Sequence, residues 1–382
     1  MRFPRGIETA IARLPLLSSC IRTVDAVKDC ASANRSKPGR GNMQYENVIL
    51  HNTEEANEVE GRDGLRLQRV PESVRVELNP SAQEKMLNPD NAEIRFRLRS
   101  GPVKLTLSSE GHTDAVVLFG QFQANGEFVR LTDQKQTIEI TLPERLAQLD
   151  PQHCEGMTFN PRVCRIVFGR LANSPVYIHS VQGDVEPPSP DDVPKTRYLA
   201  YGTSITHGAS ASRPYLSYAA QTAWRLGADL INLGSGGSAL CEHAIADHIA
   251  GRQDWNIASL ALSVNMIGGF SREEFRERCA YMVNAVAGSD TGRSVFCITL
   301  YPHWRDFGGA LAGEEDTKKA ADFRDILRAI VRDCPHPNVH LVEGPDILDN
   351  ISGLGSDLLH PTDLGMIRMG ENLAAAIKRR LR

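Results

Sequence analysis

Ser204, Asp357 and His360 are the residues of this 382-residue chain whose types and surroundings most suggest chemistry. A serine hydroxyl is a weak nucleophile near neutral pH and needs an adjacent base. In DLLHP, residues 357–361, a carboxylate stands three residues before an imidazole. On one turn, that spacing lets the carboxylate accept from Nδ1–H and leaves Nε2 to take a serine proton. Ser204 lies in GTSITHG, residues 202–208, where Gly202 allows a tight turn just before it. Read alone, such a serine serves equally well as a helix cap. Read alone, the D-x-x-H is equally a surface turn before Pro361.

Two further loops hold groups that a developing oxyanion needs, namely backbone N–H donors and an amide side chain. NLGSGGS, residues 232–238, offers Gly237, with Gly234 and Gly236 as alternatives. A residue without Cβ lets backbone come close to a ligand. SVNMIGG, residues 263–269, puts Asn265 at the end of an apolar run. Singly, the glycines fit turn chemistry and Asn265 fits a strand-ending cap. Together, nucleophile, glycine donor, amide donor and acid–base pair follow one another in chain order, each after an expected strand. That conjunction points to acyl transfer by an activated serine. A GxSxG elbow is missing, which argues against the α/β-hydrolase fold.

The elements that must position these groups fall into two halves. Between residues 64 and 182 apolar residues alternate with polar ones, as at Leu65 and Leu67, Val74, Val76 and Leu78, Ile94, Phe96 and Leu98, and Val103, Leu105 and Leu107. Period two with intervening Gly, Pro and Asn predicts many short strands in a sandwich or jelly roll over residues 43–182. Residues 183–196, GDVEPPSPDDVPKT, carry four prolines and read as an irregular linker. Beyond it, over 197–382, strands at 198–200, 230–233, 258–264, 295–300 and 339–342 alternate with helices at 216–226, 239–249, 272–287, 314–332 and 363–380. This predicts an α/β domain, a doubly wound, parallel, five-stranded sheet, with ligands at the carboxyl ends of its strands.

The last 185 residues or so resemble the SGNH (GDSL-type) hydrolase family, whose blocks carry Ser, Gly, Asn and a final D-x-x-H, here in GTSITHG, NLGSGGS, SVNMIGG and DLLHP. The resemblance implies a flavodoxin-like sheet, Ser204 as nucleophile and oxyanion donor, Gly237 and Asn265 completing the oxyanion hole, His360 as base then acid, and Asp357 orienting it. The usual Gly-Asp-Ser is Gly202-Thr203-Ser204 here, and Met266 follows Asn265 where the family carries Asp. A preceding β-sandwich resembles the subset that includes carbohydrate esterases and some acyltransferases. The implied activity is cleavage of a carboxylic ester, an O-acetyl or short acyl on a sugar or small molecule. The alternatives are transfer of the acyl group to another acceptor, or a binding protein with a dormant site.

Other candidates are weaker. His207 could act as an alternative base, but is expected at the cleft entrance or in solvent. Thr203, His303 and Trp304 are candidates to line the substrate pocket, the last two in the loop 301–306, which otherwise reads as ordinary surface. Glu242, His243, Asp247 and His248 resemble a metal set, but His243 and His248 are five apart and do not share a helix face, so a solvated face is expected. No metal or cofactor is implied. One loop of the sandwich is expected at the cleft mouth.

The net charge of −4 gives no pull toward nucleic acid, and no apolar run is long enough to span a membrane. Eight cysteines without a CxxC read as scattered core thiols and favour a reducing, cytoplasmic setting. Residues 1–42 hold eight Lys/Arg against three Asp/Glu and read as a disordered tail or an early start before Met43. Arg13 and Pro15 interrupt what would otherwise be a signal-peptide core.

Overall fold

The computed structural model describes residues 42–169, 174–308 and 311–381, so the N-terminal tail through residue 41 lies outside the described residues. The β-rich half contains β1 (Asn42–Tyr45), β2 (Val48–His51), β3 (Glu55–Glu58), β4 (Leu65–Gln68), α1 (Glu72–Arg75), α2 (Pro80–Lys85), β5 (Glu93–Ser109), β6 (Thr113–Phe119), β7 (Phe122–Leu131), β8 (Gln136–Ile140), α3 (Glu144–Ala147), β9 (Val163–Gly169) and β10 (Val176–Glu186). The ten strands form one antiparallel sheet. Its pivot is the 17-residue β5. The start of β5 pairs with β2 and β9, whereas its later residues pair with β8 and β10. A single sheet thus wraps one core that takes Ile94 and Phe96 from the first part of β5 and Leu105 and Leu107 from the second.

Two expectations for this half need correction. Val74, Val76 and Leu78 are not a strand: α1, a turn and α2 occupy 72–85. Pro80 sits at the first turn of α2 and the Asn79 side chain accepts from Ala82 N, so the chain is set for helix there. Val70, Leu78, Ala82 and Met86 pack into the core of the following half, while Val76 is exposed. The second correction concerns the proline-rich stretch. β10 runs on through Glu186, and Asp192 is buried, bonded to Asn160, Ser189 and Arg97. Asp192 thus anchors the stretch to the β-rich half, and all described residues belong to one compact unit.

The α/β half contains β11 (Arg197–Gly202), α4 (Ser204–His207), α5 (Tyr218–Leu226), β12 (Asp229–Gly234), α6 (His243–Gly251), β13 (Ile257–Ala261), α7 (Arg272–Gly288), β14 (Ser294–Ile298), α8 (Glu314–Asp333), β15 (Val339–Val342), α9 (Gly344–Ile347) and α10 (Asp363–Leu381). The five strands are parallel in the order β12-β11-β13-β14-β15. Ile245, Phe275, Phe323 and Leu327 from α6, α7 and α8 fill one face. Tyr218, Met366, Met369 and Leu373 from α5 and α10 fill the other. The order reverses between β11 and β13, and such a switch point opens a crevice at the carboxyl ends of the strands. Among the described residues, the six cysteines are free thiols, and no helix is long and apolar enough to cross a membrane.

Candidate active site

Ser204 emerges directly from β11. A Cβ on Gly202 would lie 2.3 Å from Thr206 Oγ1, so only glycine lets the chain turn into α4 here. The capping role falls to Thr203, whose hydroxyl accepts from Ile205 N at 3.4 Å. Ser204 Oγ is therefore left for another partner. That partner is His360 Nε2, at 2.8 Å.

His360 stands in a loop pinched shut by Gly355 N–H donating to His360 O at 2.8 Å. Its Nδ1 meets Asp357 Oδ2 at 2.7 Å. The other carboxylate oxygen accepts from the backbone N–H groups of Leu359 and His360, each at 3.0 Å. Burial would raise the Asp357 carboxyl, but the bond from His360 and the two backbone donors outweigh it and hold the group below its ordinary value. Asp357 stays a carboxylate, so the proton between the two belongs to Nδ1 and Nε2 faces the serine. To make room for these bonds Leu358 takes φ +52, the left-handed region.

Asn265 lies in a single 3-10 turn, Val264–Met266, just past β13. Its Oδ1 accepts from Ala239 N at 3.2 Å, which orients the amide and directs Nδ2 away from that bond. In the loop 232–238, Gly234 N donates to Asn232 Oδ1 and Gly236 N donates to His207 Nδ1. Gly237 is exposed, with φ +72 and open space where a Cβ would stand. Among the described residues no hydrogen bond is made by the N–H of Ser204, the N–H of Gly237 or Nδ2 of Asn265. Of the three glycines, Gly237 alone has its N–H uncommitted.

Thr203 and Ile205, the chain neighbours of Ser204, line a small cavity of 20 Å³ together with Leu262, Val264, Pro302, His303 and Leu359 among others. His303 is buried, held by Tyr301 O and Asp306 through Nδ1, while its Nε2 has no partner among the described residues. Trp304 does not line this cavity. Its N–H donates to Leu358 O at 2.7 Å, which ties the loop 301–306 to the His360 loop, so this segment is no ordinary surface loop.

Three sequence expectations change. His207 faces neither cleft nor solvent: it is 1% exposed, with Nε2 2.7 Å from Asp90 Oδ2. The face of α6 is only half solvated. His243 stacks on Tyr281 and Asp247 accepts from the Tyr281 hydroxyl, but Glu242 accepts from Asn79 and the His248 ring is buried beside Glu54. One contact of the β-rich half with the site comes from the helical stretch rather than from a loop between strands, where Asn79 Nδ2 donates to Ser238 O at 3.0 Å. Sequence reasoning missed Arg69, Asp90 and Asn91, which reach the loop 232–238 or its supports, because no local pattern distinguishes them from surface polar residues. It also missed a cavity of about 360 Å³ between the halves, lined by Glu93, Phe159, Arg165, Tyr215 and Trp224, and by Leu230 near the start of β12. That places this cavity toward the end of the sheet away from the catalytic loops.

Residues 195–378 match the GDSL-like lipase/acylhydrolase family. No curated protein matches the chain. A salicylyl-acyltransferase from a tetracycline biosynthetic pathway shares the fold with TM-score 0.67 at 15% identity, over 88% of this chain and 98% of that one. A GDSL-like lipase from Bacteroides ovatus, described as putative, gives 0.60 at 17% identity, over 82% and 91%. A family two carbohydrate esterase from Clostridium thermocellum, in complex with cellohexaose, gives 0.55 at 15% identity, over 76% and 93%. At these identities the likeness is one of fold, and it takes in the β-rich half as well.

Proposed function

We propose that this chain, whose residues 195–378 match the GDSL-like lipase/acylhydrolase family, is an ester hydrolase that removes a short acyl group from an alcohol or sugar through an acyl-enzyme on Ser204. The observation that carries this reading is the relay from Ser204 Oγ through His360 to Asp357, with contacts of 2.8 and 2.7 Å. Ser204 Oγ attacks the ester carbonyl while His360 Nε2 takes its proton. The carbonyl oxygen, now negative, is received by the N–H groups of Ser204 and Gly237 and by Asn265 Nδ2. As the tetrahedral adduct collapses, the C–O bond to the alcohol breaks and His360 returns the proton to the departing alkoxide. Water then attacks the acyl-enzyme with His360 again as base, releasing the carboxylic acid and the free serine.

Two features support the finer assignments. A 20 Å³ cavity lined by Thr203 and Ile205, which flank Ser204 in the chain, and by Leu359, which precedes His360, holds one group about the size of a water or a methyl and fits an acetyl better than a long chain. The His360 and Asp357 side chains are 24% and 51% exposed, so water reaches the base, which favours hydrolysis over transfer to a second acceptor.

The test uses 4-nitrophenyl acetate and octanoate. Ser204→Ala and His360→Ala are each expected to lower kcat about 10⁴-fold or more with unchanged melting, and the wild type to prefer acetate. Turnover retained by Ser204→Ala would overturn the nucleophile. Preference for octanoate would overturn the acyl assignment. If added alcohols diverted most of the acyl group into new esters, the reaction would be transfer instead.

A further inference from the structure

We infer that Arg69 and Asp90, both on the β-rich half, are positioning residues for the hydrolase, holding the loop 232–238 so that the Gly237 N–H faces the reacting carbonyl. The inference rests on the oxyanion role proposed above. It begins from a mechanical problem. Gly237 is exposed and its N–H is uncommitted, so nothing at Gly237 itself fixes where that N–H points. Its orientation must come from the residues before and after it.

The residue before it is fixed by a relay across the halves. Gly236 N–H donates to His207 Nδ1 at 3.2 Å. An imidazole nitrogen that accepts carries no proton, so the ring proton is on Nε2. Nε2 lies 2.7 Å from Asp90 Oδ2, near enough to donate to it, and 3.4 Å from Arg69 Nη2. Burial holds the His207 imidazole below its ordinary value, against the pull of Asp90, so the ring stays neutral and Nδ1 stays an acceptor. Asp90 thereby selects the tautomer that captures Gly236.

The start of the loop is fixed by Arg69, whose side chain is almost fully buried. Its Nη1 donates to Asn232 O at 2.9 Å and Gly234 O at 3.0 Å. Its Nε and Nη2 donate to Asn88 O and Lys85 O, both at 2.6 Å. One planar fork thus staples the loop to the stretch 85–88, which packs under it. Burial pulls this guanidinium down to about 10, with the Asp90 charge opposing. A buried cation bonded chiefly to carbonyls is a costly way to hold two segments together. It defines loop geometry as no apolar contact would.

The experiment uses the full chain, with acetate ester turnover counted per site titrated by a fluorophosphonate. Arg69→Met and Asp90→Leu are expected to lower kcat about 10- to 100-fold, within the cost of losing one oxyanion donor, with KM changed less than about twofold. Asp90→Asn, whose amide oxygen can still accept from Nε2–H, is expected to recover most of kcat. Arg69→Lys should fall between wild type and Arg69→Met. Arg69→Lys decides the matter if Arg69→Met and Asp90→Leu fail to fold. A merely structural role predicts lowered melting with kcat per titrated site unchanged, and that result in Arg69→Lys or Asp90→Leu would overturn the inference. Ser204→Ala runs in parallel. If it stays active, the oxyanion reading itself fails; if it is dead while Asp90→Leu is fully active, only the positioning role fails.

Discussion

His360 with Asp357 and His51 with Asp229 are both histidine–aspartate pairs, and they solve opposite problems. The first is local, three residues apart, with side chains 24% and 51% exposed and a contact of 2.7 Å. The second joins the two halves of the molecule across 3.4 Å, with both side chains 1% exposed. His360 gives its second nitrogen to a serine. His51 uses Nε2 on the backbone oxygen of Leu230, and Asp229 is clamped from the other side by both terminal nitrogens of Arg95. Arg95 also binds Glu93, which Arg165 grips in turn. The exposed pair can move a proton because water and substrate reach it. The buried pair cannot, and works as a rivet.

That contrast sets the largest stability effect. Removing one member of a buried ion network leaves the others charged and uncompensated. Arg95→Met is expected to destabilise the protein by about 3–5 kcal/mol in urea or thermal unfolding, while kcat of the protein that remains folded stays near wild type. Arg95→Met combined with Asp229→Leu should recover much of the loss, because both charges then leave together. If the single variant cost less than about 1 kcal/mol, the seam would be no more than surface decoration.

Acid should separate the two pairs next. Burial, helped by the Arg95 charge, pulls the His51 imidazole down to about 4, against the pull of Asp229 and Glu93. Below pH 6.5 the unfolded chain therefore takes up a proton that the folded protein refuses until about pH 4. Stability is full above 6.5 and falls across that window, by about 3 kcal/mol for this one group. His248, also pulled down to about 4 by burial, adds to the slope. Glu93 and Asp229 are held below their ordinary values and lose their contribution only at lower pH. Urea unfolding at pH 7 and pH 4.5 measures the slope, and His51→Gln should flatten it. An unchanged slope in that variant would mean that His51 is not the group involved.

What the sequence disclosed follows the same division. Asp357 and His360 share one turn, and Ser204, Gly237 and Asn265 each follow a strand of a sheet whose βα alternation is visible in the apolar runs. Local spacing brought these residues forward, and the family resemblance gave them their roles. Arg95 is 134 residues from Asp229, and between Ile94 and Phe96 it reads as the outward charge of an alternating strand. It is outward from its own core and inward to the other half. His207 and the 72–85 helices were misread for the same reason, since each faces a surface supplied by a distant segment. Val74 and Leu78, four apart, fit one helix face as well as one strand face, and only the packing of Leu78 in the α/β core decides.

Backbone strain gives the smallest and most discriminating comparison. Both regions place non-glycine residues in the left-handed region. At the seam these are Asn52 and Asn91, with φ of 53 and 56, a residue type that tolerates that conformation. In the catalytic loop it is Leu358, for which the conformation costs about 1–2 kcal/mol. Leu358 is held there because its N–H donates to Gly355 O and its carbonyl accepts from Trp304 N, so the loop geometry that presents His360 overrides the local preference. Leu358→Gly removes the strain but frees the unfolded chain by nearly as much. Stability should therefore change by less than about 1 kcal/mol, with a gain more expected than a loss. Activity should fall several-fold, because a glycine between Asp357 and His360 lets the loop sample conformations in which Nε2 misses the serine. A clear loss of stability with kcat intact would show that Leu358 earns its place by packing, and that the catalytic loop is no more strained than the seam.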